Sequence, residues 1–286
     1  MSKPKVRLIV NADDFGLHES VNEAIEVAHN SGILTSASLM VNGEAFEHAA
    51  QIAKKNENLG VGIHLTLNGE KPVSPAKEIF SMVNSSGKLF ENHKAFCMGV
   101  LSGKIFLNHI AIECEAQIDK FLRAGLKPTH LDSHRHLHLF PPVFKALMPI
   151  LKKYDIKKIR WLNLPWSDYS KMNISKIAFM LFMQYTKFFL KEKELKHPDY
   201  FIGFPRSGDI DMDYLKSVLV RLRPGATEIN FHPGKDNNLI RKKYGFWAKD
   251  HNWRCDWERE FKLLLSQDIK KTIKISDISL VSYAEI

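Results

Sequence analysis

Cysteine is scarce in this 286-residue chain. Cys97, Cys114 and Cys255 are odd in number, widely spaced and never part of a CxxC pair. That excludes a disulfide framework and a cysteine zinc site, and it suits a reducing compartment. The chain also has little uninterrupted apolar sequence. The N-terminal MSKPKVRLIVNADD holds only a short apolar run before its polar residues, too short for a signal-peptide core, so a cytoplasmic protein is expected. The run Ile177 to Met183 falls far short of the roughly 20 residues needed to span a bilayer. There is no fixed-period repeat, long Gly/Ser linker or low-complexity tract, and this favours one domain over 1–286.

Positive charge, by contrast, is in excess: 41 Lys and Arg against 32 Asp and Glu give +9. A basic balance invites a nucleic-acid partner, but the charges are scattered and no helix-turn-helix, RNA-recognition or zinc-finger pattern accompanies them. No nucleic acid is expected; an anionic membrane surface or substrate fits the charge better.

Histidine is concentrated near the middle, in Pro128-Thr129-His130-Leu131-Asp132-Ser133-His134-Arg135-His136-Leu137-His138. Imidazole with carboxylate is a ligand set that borderline divalent metals favour. An extended 129–133 would put His130, Asp132 and His134 on one face, whereas a helical turn after it would pair His134 with His138. A surface cluster of neutral histidines is the alternative.

The rest of the chain supplies companions. VRLIV (6–10) reads as a strand buried on both faces, and it runs into Asn11-Ala12-Asp13-Asp14. GVGIHLTL (60–67) carries His64 on its polar side, and ATEINF (226–231) ends in His232-Pro233-Gly234. Strands are expected near 6, 35, 61, 129, 158, 227 and 280, the last being SLVSY (279–283), with helical segments between most of them. About seven mostly parallel strands in that order spell a distorted (β/α) barrel, in which the strand ends share one rim. Residues 68–108 read as a loop insertion over the mouth. Lysine-flanked 174–196 reads either as an outer barrel helix or as a segment touching a membrane interface or an apolar substrate. Pattern alone therefore reaches a metal-dependent hydrolase or lyase, with one Asp as ligand, its neighbour as general base, and His232 a candidate acid.

The blocks NADDFG, GILTSASLMVNG (32–43), GVGIHLTL, PTHLDSHRHLHLFP (128–141) and FHPG (231–234) resemble, in content and order, those of the YdjC-like carbohydrate deacetylases. The resemblance implies a barrel related to polysaccharide deacetylases and removal of acetyl groups from N-acetylated amino sugars such as chitooligosaccharides. By position it makes Asp14, His64 and His134 ligands of one Mg2+ or Zn2+ ion, Asp13 the base, and His232 the acid or a supporting group. Asn11, Asp132, His136, His138 and Arg160 would orient those residues or contact substrate, with His130 structural. SGILTSASLMVNG and the apolar basic segment look most like the branch linked to hopanoid biosynthesis. That implies an N-acetylglucosaminyl glycolipid substrate, peripheral contact at the inner membrane face through 174–196, and a homo-oligomer as an open option. Another barrel hydrolase, such as a phosphoesterase or amidohydrolase, and a non-catalytic carbohydrate- or lipid-binding protein are the rival readings. Beyond residue 234 no distinctive block extends the resemblance.

Overall fold

The buried run at the N-terminus sets the architecture. Leu8, Ile9 and Val10 have almost no solvent exposure, as apolar residues on both sides of a strand require. In this computed structural model, which describes residues 5–90, 92–165, 174–186, 195–249 and 255–286, the strand continues as β1 (Val6–Phe15) through the polar residues at its end. It is followed by α1 (Glu19–Ser31), β2 (Ser36–Leu39), α2 (Phe46–Lys55) and β3 (Gly60–Leu65). Next come α3 (His93–Leu101), α4 (Leu107–Arg123), β4 (Leu131–Ser133), α5 (Pro141–Lys153) and α6 (Ile174–Tyr185). The chain then forms β5 (Tyr200–Ile202), α7 (Met212–Leu219), β6 (Gly225–Phe231), α8 (Asn237–Lys249), α9 (Trp257–Leu265), α10 (Gln267–Ile275) and β7 (Ile278–Leu280).

Among the described residues the seven strands all pair in parallel, six of them in the order β4-β3-β2-β1-β6-β5. β7 joins β1 along Val6–Leu8, the stretch that precedes β2's contacts at Asn11–Phe15. The sheet curls into a half-barrel wrapped by helices. Residues 157–163 bridge its open side: Leu131 N donates to Lys158 O, and Phe201 N donates to Asn163 O. The expected strand near 158 is thus reduced to single bridges, Leu131 with Ile159 and Lys158 with Lys196. The seventh strand is instead β5, in a stretch the sequence reading passed over. The reason lies in β4, which ends at Ser133 because Arg135 and His136 adopt φ of 58° and 55°, leaving only Leu131 to pair beyond it.

That left-handed turn also rules out the helical pairing of His134 with His138. Both sit in a short 3-10 stretch, but the break between them turns His138 back toward Ser133. Residues 68–108, expected as a loop insertion, contain α3, whose first turn is capped by Asn92 Oδ1 accepting from Lys94 N and Ala95 N. Within 174–196, residues 187–194 lie outside the described residues. α6 buries Met180 and Met183 and leaves Leu181 and Tyr185 exposed. Among the described residues no helix is long and apolar enough to cross a membrane.

Strand alternation sorts β1 into two faces. Leu8, Val10 and Ala12 join the main core beneath the helices. Ile9 turns into the half-barrel and meets Val281 and Tyr283 in a small separate cluster. Asn11 and Asp13 share Ile9's parity, so the inward face becomes polar toward the strand's C-terminal end.

Candidate active site

The inward residues of neighbouring parallel strands lie side by side. Register pairs Asn11 with Ser36 and Asn230, Ser38 with Gly62, and His64 with Asp132. One layer of polar side chains therefore crosses five strands at the end of the half-barrel where parallel sheets place chemistry.

At the top of this layer Asp14 Oδ1 lies 3.5 Å from His64 Nε2 and 3.3 Å from His134 Nδ1. One donor atom from each of the three falls within 4.8 Å of the others, and all three residues are buried. Asp14 reaches this point from a backbone with φ of 63°, which swings it out of the strand beside Asp13. His64 is fixed from behind, since its Nδ1 is 2.7 Å from Asp132 Oδ1; with the proton on Nδ1, the Nε2 lone pair faces Asp14. A carboxylate and two imidazoles so held fit a divalent cation. Burial disfavours charge on His64, but Asp132, Asp13 and Asp14 outweigh it and lift its pKa to about 9. For His134 burial wins over Asp14 and the pKa falls to about 4.

Asp13 is mounted differently. Arg160 NH1 donates to its Oδ2 at 2.9 Å and NH2 to its Oδ1 at 2.6 Å. Asn11 Nδ2 adds a bond to Oδ1 at 2.9 Å, and Asn230 Nδ2 one to Oδ2 at 3.3 Å. Burial pushes this carboxyl up, yet Arg160 and His64 together hold it below the usual carboxylate range. The same guanidinium lies 2.6 Å from Asp132 Oδ2, and its Nε donates to Glu228 Oε1 at 2.8 Å. One cation thus serves three carboxylates. Asp13, Asp132 and His64 also approach one another closely enough for a metal, but Arg160 already occupies that ground.

His232, at the end of β6, places Nε2 3.9 Å from Asp13 Oδ2, and its backbone N–H donates to Glu260 Oε2 at 2.5 Å. Burial lowers its pKa against the pull of Asp13 and Asp14. His136 packs edge-on against Phe201 with ring centres 5.8 Å apart. His138 lies between Ser133 Oγ (2.7 Å) and the Arg160 carbonyl (3.1 Å), so it holds the chain around the site. His130 stacks on Tyr283.

The structure therefore brings Asp13, Asp14, His64, His134 and His232 to one place, with Asn11, Asp132 and Arg160 directly behind. Sequence reasoning missed Ser38, Glu228, Asn230, Glu260 and Tyr283. Parity could have found two of them, because Glu228, Asn230 and His232 alternate on one side of β6. No comparable signal marked Glu260 or Tyr283.

A half-barrel whose strand ends carry a carboxylate–imidazole cluster able to hold a metal ion defines an α/β protein of the barrel class. The model for the YdjC-like protein family matches residues 7–274, and the chain belongs to that family. A carbohydrate deacetylase of Brevibacillus brevis is 39% identical over 161 residues, 56% of this chain and 60% of that protein, so the match spans under two thirds of that relative's length. A carbohydrate deacetylase of Thermoanaerobacter pseudethanolicus is 30% identical over 277 residues, covering 97% of this chain and 98% of that protein. Among solved structures, an Enterococcus faecalis protein named for cellobiose-phosphate cleavage superposes with a TM-score of 0.75 at 25% identity, over 98% of each chain.

Proposed function

We infer that the protein is a metal-dependent carbohydrate N-deacetylase. The observation that carries this is a buried Asp14–His64–His134 cluster adjoining an Asp13 held in one orientation by four donors. The relatives named carbohydrate deacetylases support the same reading. Asp14, His64 and His134 would hold one divalent ion, Mg2+ or Zn2+. When bound, it supplies polarisation of the acetyl carbonyl and a lowered pKa for water.

The chain's own groups do the proton work. Asp13, ionised and fixed, removes the proton from the attacking water. Attack at the acetyl carbon and cleavage of the C–N bond give acetate and a free amine. His232, kept neutral by burial with its Nε2 3.9 Å from Asp13 Oδ2, takes up the proton from Asp13 as the two close to hydrogen-bond reach in the substrate complex, and passes it to the departing nitrogen. Asp132 keeps His64 oriented, and Arg160 keeps Asp13 oriented.

The substrate we favour is an N-acetylglucosaminyl unit, on a chitooligosaccharide or on a hopanoid glycolipid. Exposed Leu181 and Tyr185 on α6, in a basic chain, support the lipid and a peripheral position at the inner membrane face. A two-metal phosphoesterase or amidohydrolase is less well supported, since a second ion would have to displace Arg160 from between Asp13 and Asp132. Acetate release from diacetylchitobiose and from an N-acetylglucosaminyl lipid, each with added Zn2+ or Mg2+, tests the reading. Release from neither sinks the activity; equal rates return α6 to the role of an outer barrel helix.

A further inference from the structure

The last residues of the chain are built into the polar layer. Tyr283 follows β7 in a single 3-10 turn, is completely buried, and fills the half-barrel beneath the site together with Ile9 and Val281. Its backbone is pinned: Tyr283 N donates to Ser36 Oγ at 3.1 Å, and Lys158 Nζ donates to the carbonyls of Tyr283 and Ala284 at 2.8 and 2.6 Å.

Two paths leave this one side chain. The hydroxyl donates to Glu228 Oε2. Glu228 Oε1 in turn accepts from Arg160 Nε at 2.8 Å and lies 2.7 Å from NH2, while the other edge of the guanidinium grips Asp13. A guanidinium is a rigid planar fork, so fixing one edge fixes the other. The second path starts from the ring face, which stacks on His130 with centres 3.7 Å apart and planes 11° apart. His130 Nε2 is 3.1 Å from Ser38 Oγ, Ser38 donates to Asp132 Oδ2 at 2.8 Å, and Asp132 holds His64. Room for the His130 ring comes from Gly62, where a Cβ would stand 2.3 Å from the imidazole.

We propose that Tyr283 is a positioning residue for the deacetylation inferred above: its hydroxyl sets Asp13 through Glu228 and Arg160, and its ring sets His64 through His130, Ser38 and Asp132. The inference rests on that activity, and it gives the C-terminal region a part in the chemistry. The two paths are separable, because Tyr283→Phe cuts the first and leaves the stacked ring of the second.

The test is steady-state acetate release from diacetylchitobiose by the full-length zinc-loaded protein, well below its melting midpoint, with zinc per chain measured alongside. Displacing a reacting group by an ångström costs up to about a hundredfold, so Y283F should lower kcat about tenfold and leave KM within about twofold. Its zinc content should match the parent's. E228A should behave like Y283F, whereas E228Q, which keeps an acceptor for Arg160 Nε, should recover most of the rate. Y283L, lacking both hydroxyl and stacked ring, should also lose zinc more readily on dialysis. A parental kcat in both Y283F and E228A overturns the inference, whatever their melting temperatures. Should the parent release no acetate, the deacetylase reading falls and the Arg160 Nε–H nuclear magnetic resonance signal decides: displaced in Y283F it supports the positioning, unchanged it refutes it.

Discussion

The two aspartates at the end of β1 are sequence neighbours with opposite environments. Asp14, at the rim, is approached by two imidazole nitrogens at 3.3 and 3.5 Å, longer than good hydrogen bonds. Asp13, one residue earlier, takes four donors, two of them at 2.6 and 2.9 Å from a guanidinium that is itself braced by Glu228. One strand end thus offers two chemically distinct carboxylates. A loosely paired carboxylate among imidazoles suits an exchangeable cation, whereas a tightly held one suits a group whose position must not change. What separates them is backbone: Asp14's positive φ lifts it out of the alternation that keeps Asp13 on the inward face.

The largest effect should come from the rim. His64→Ala combined with His134→Ala should abolish stoichiometric metal in elemental analysis of the purified protein, and unchanged content would erase the distinction between the two aspartates. Asp13→Asn should keep its metal and lose about 10²–10⁴-fold in kcat for acetate release, the usual contribution of a positioned general base; full activity would remove Asp13 from the base role. Arg160→Met probes the lower half. It leaves Asp13, Asp132 and Glu228 buried without their shared cation, and should cost about 3–5 kcal/mol in urea denaturation. Gly62→Ala forces a methyl against the His130 ring and should cost about 1–3 kcal/mol by the same measurement. Least of all, Asn92→Ala at the start of α3, away from both aspartates, should lower stability by about 1 kcal/mol and leave kcat unchanged.

Much of the fold was legible because local pattern and tertiary role agree. Leu8–Val10 is apolar on both sides and lies under helices on one face and inside the half-barrel on the other. Val21, Ile25 and Ala28 recur at helical spacing and are the buried stripe of α1. The failures have physical causes. Residues 157–162 (KKIRWL), the strand expected near 158, have strand composition, but a strand exists only where a partner runs beside it, and β4 stops too soon to provide one. Tyr200–Ile202 is too short to rise above its turn-rich surroundings, yet pairs with β6 along Thr227–Ile229.

Local sequence is enough for the strand-and-helix alternation, the chemistry of the donor set and the positions where those donors end their strands. Periodicity and residue type are local properties, and they survive without knowledge of the partner. Tertiary structure alone decided which of the two adjacent aspartates faces the imidazoles and which is clamped by Arg160. It also decided that His138 holds the chain while His134 points at Asp14, and that a tyrosine near the C-terminus ends up beneath a site made mostly by the first half of the chain. Those outcomes depend on a sign of φ and on strand register across residues more than a hundred positions apart, and neither is written in any single segment.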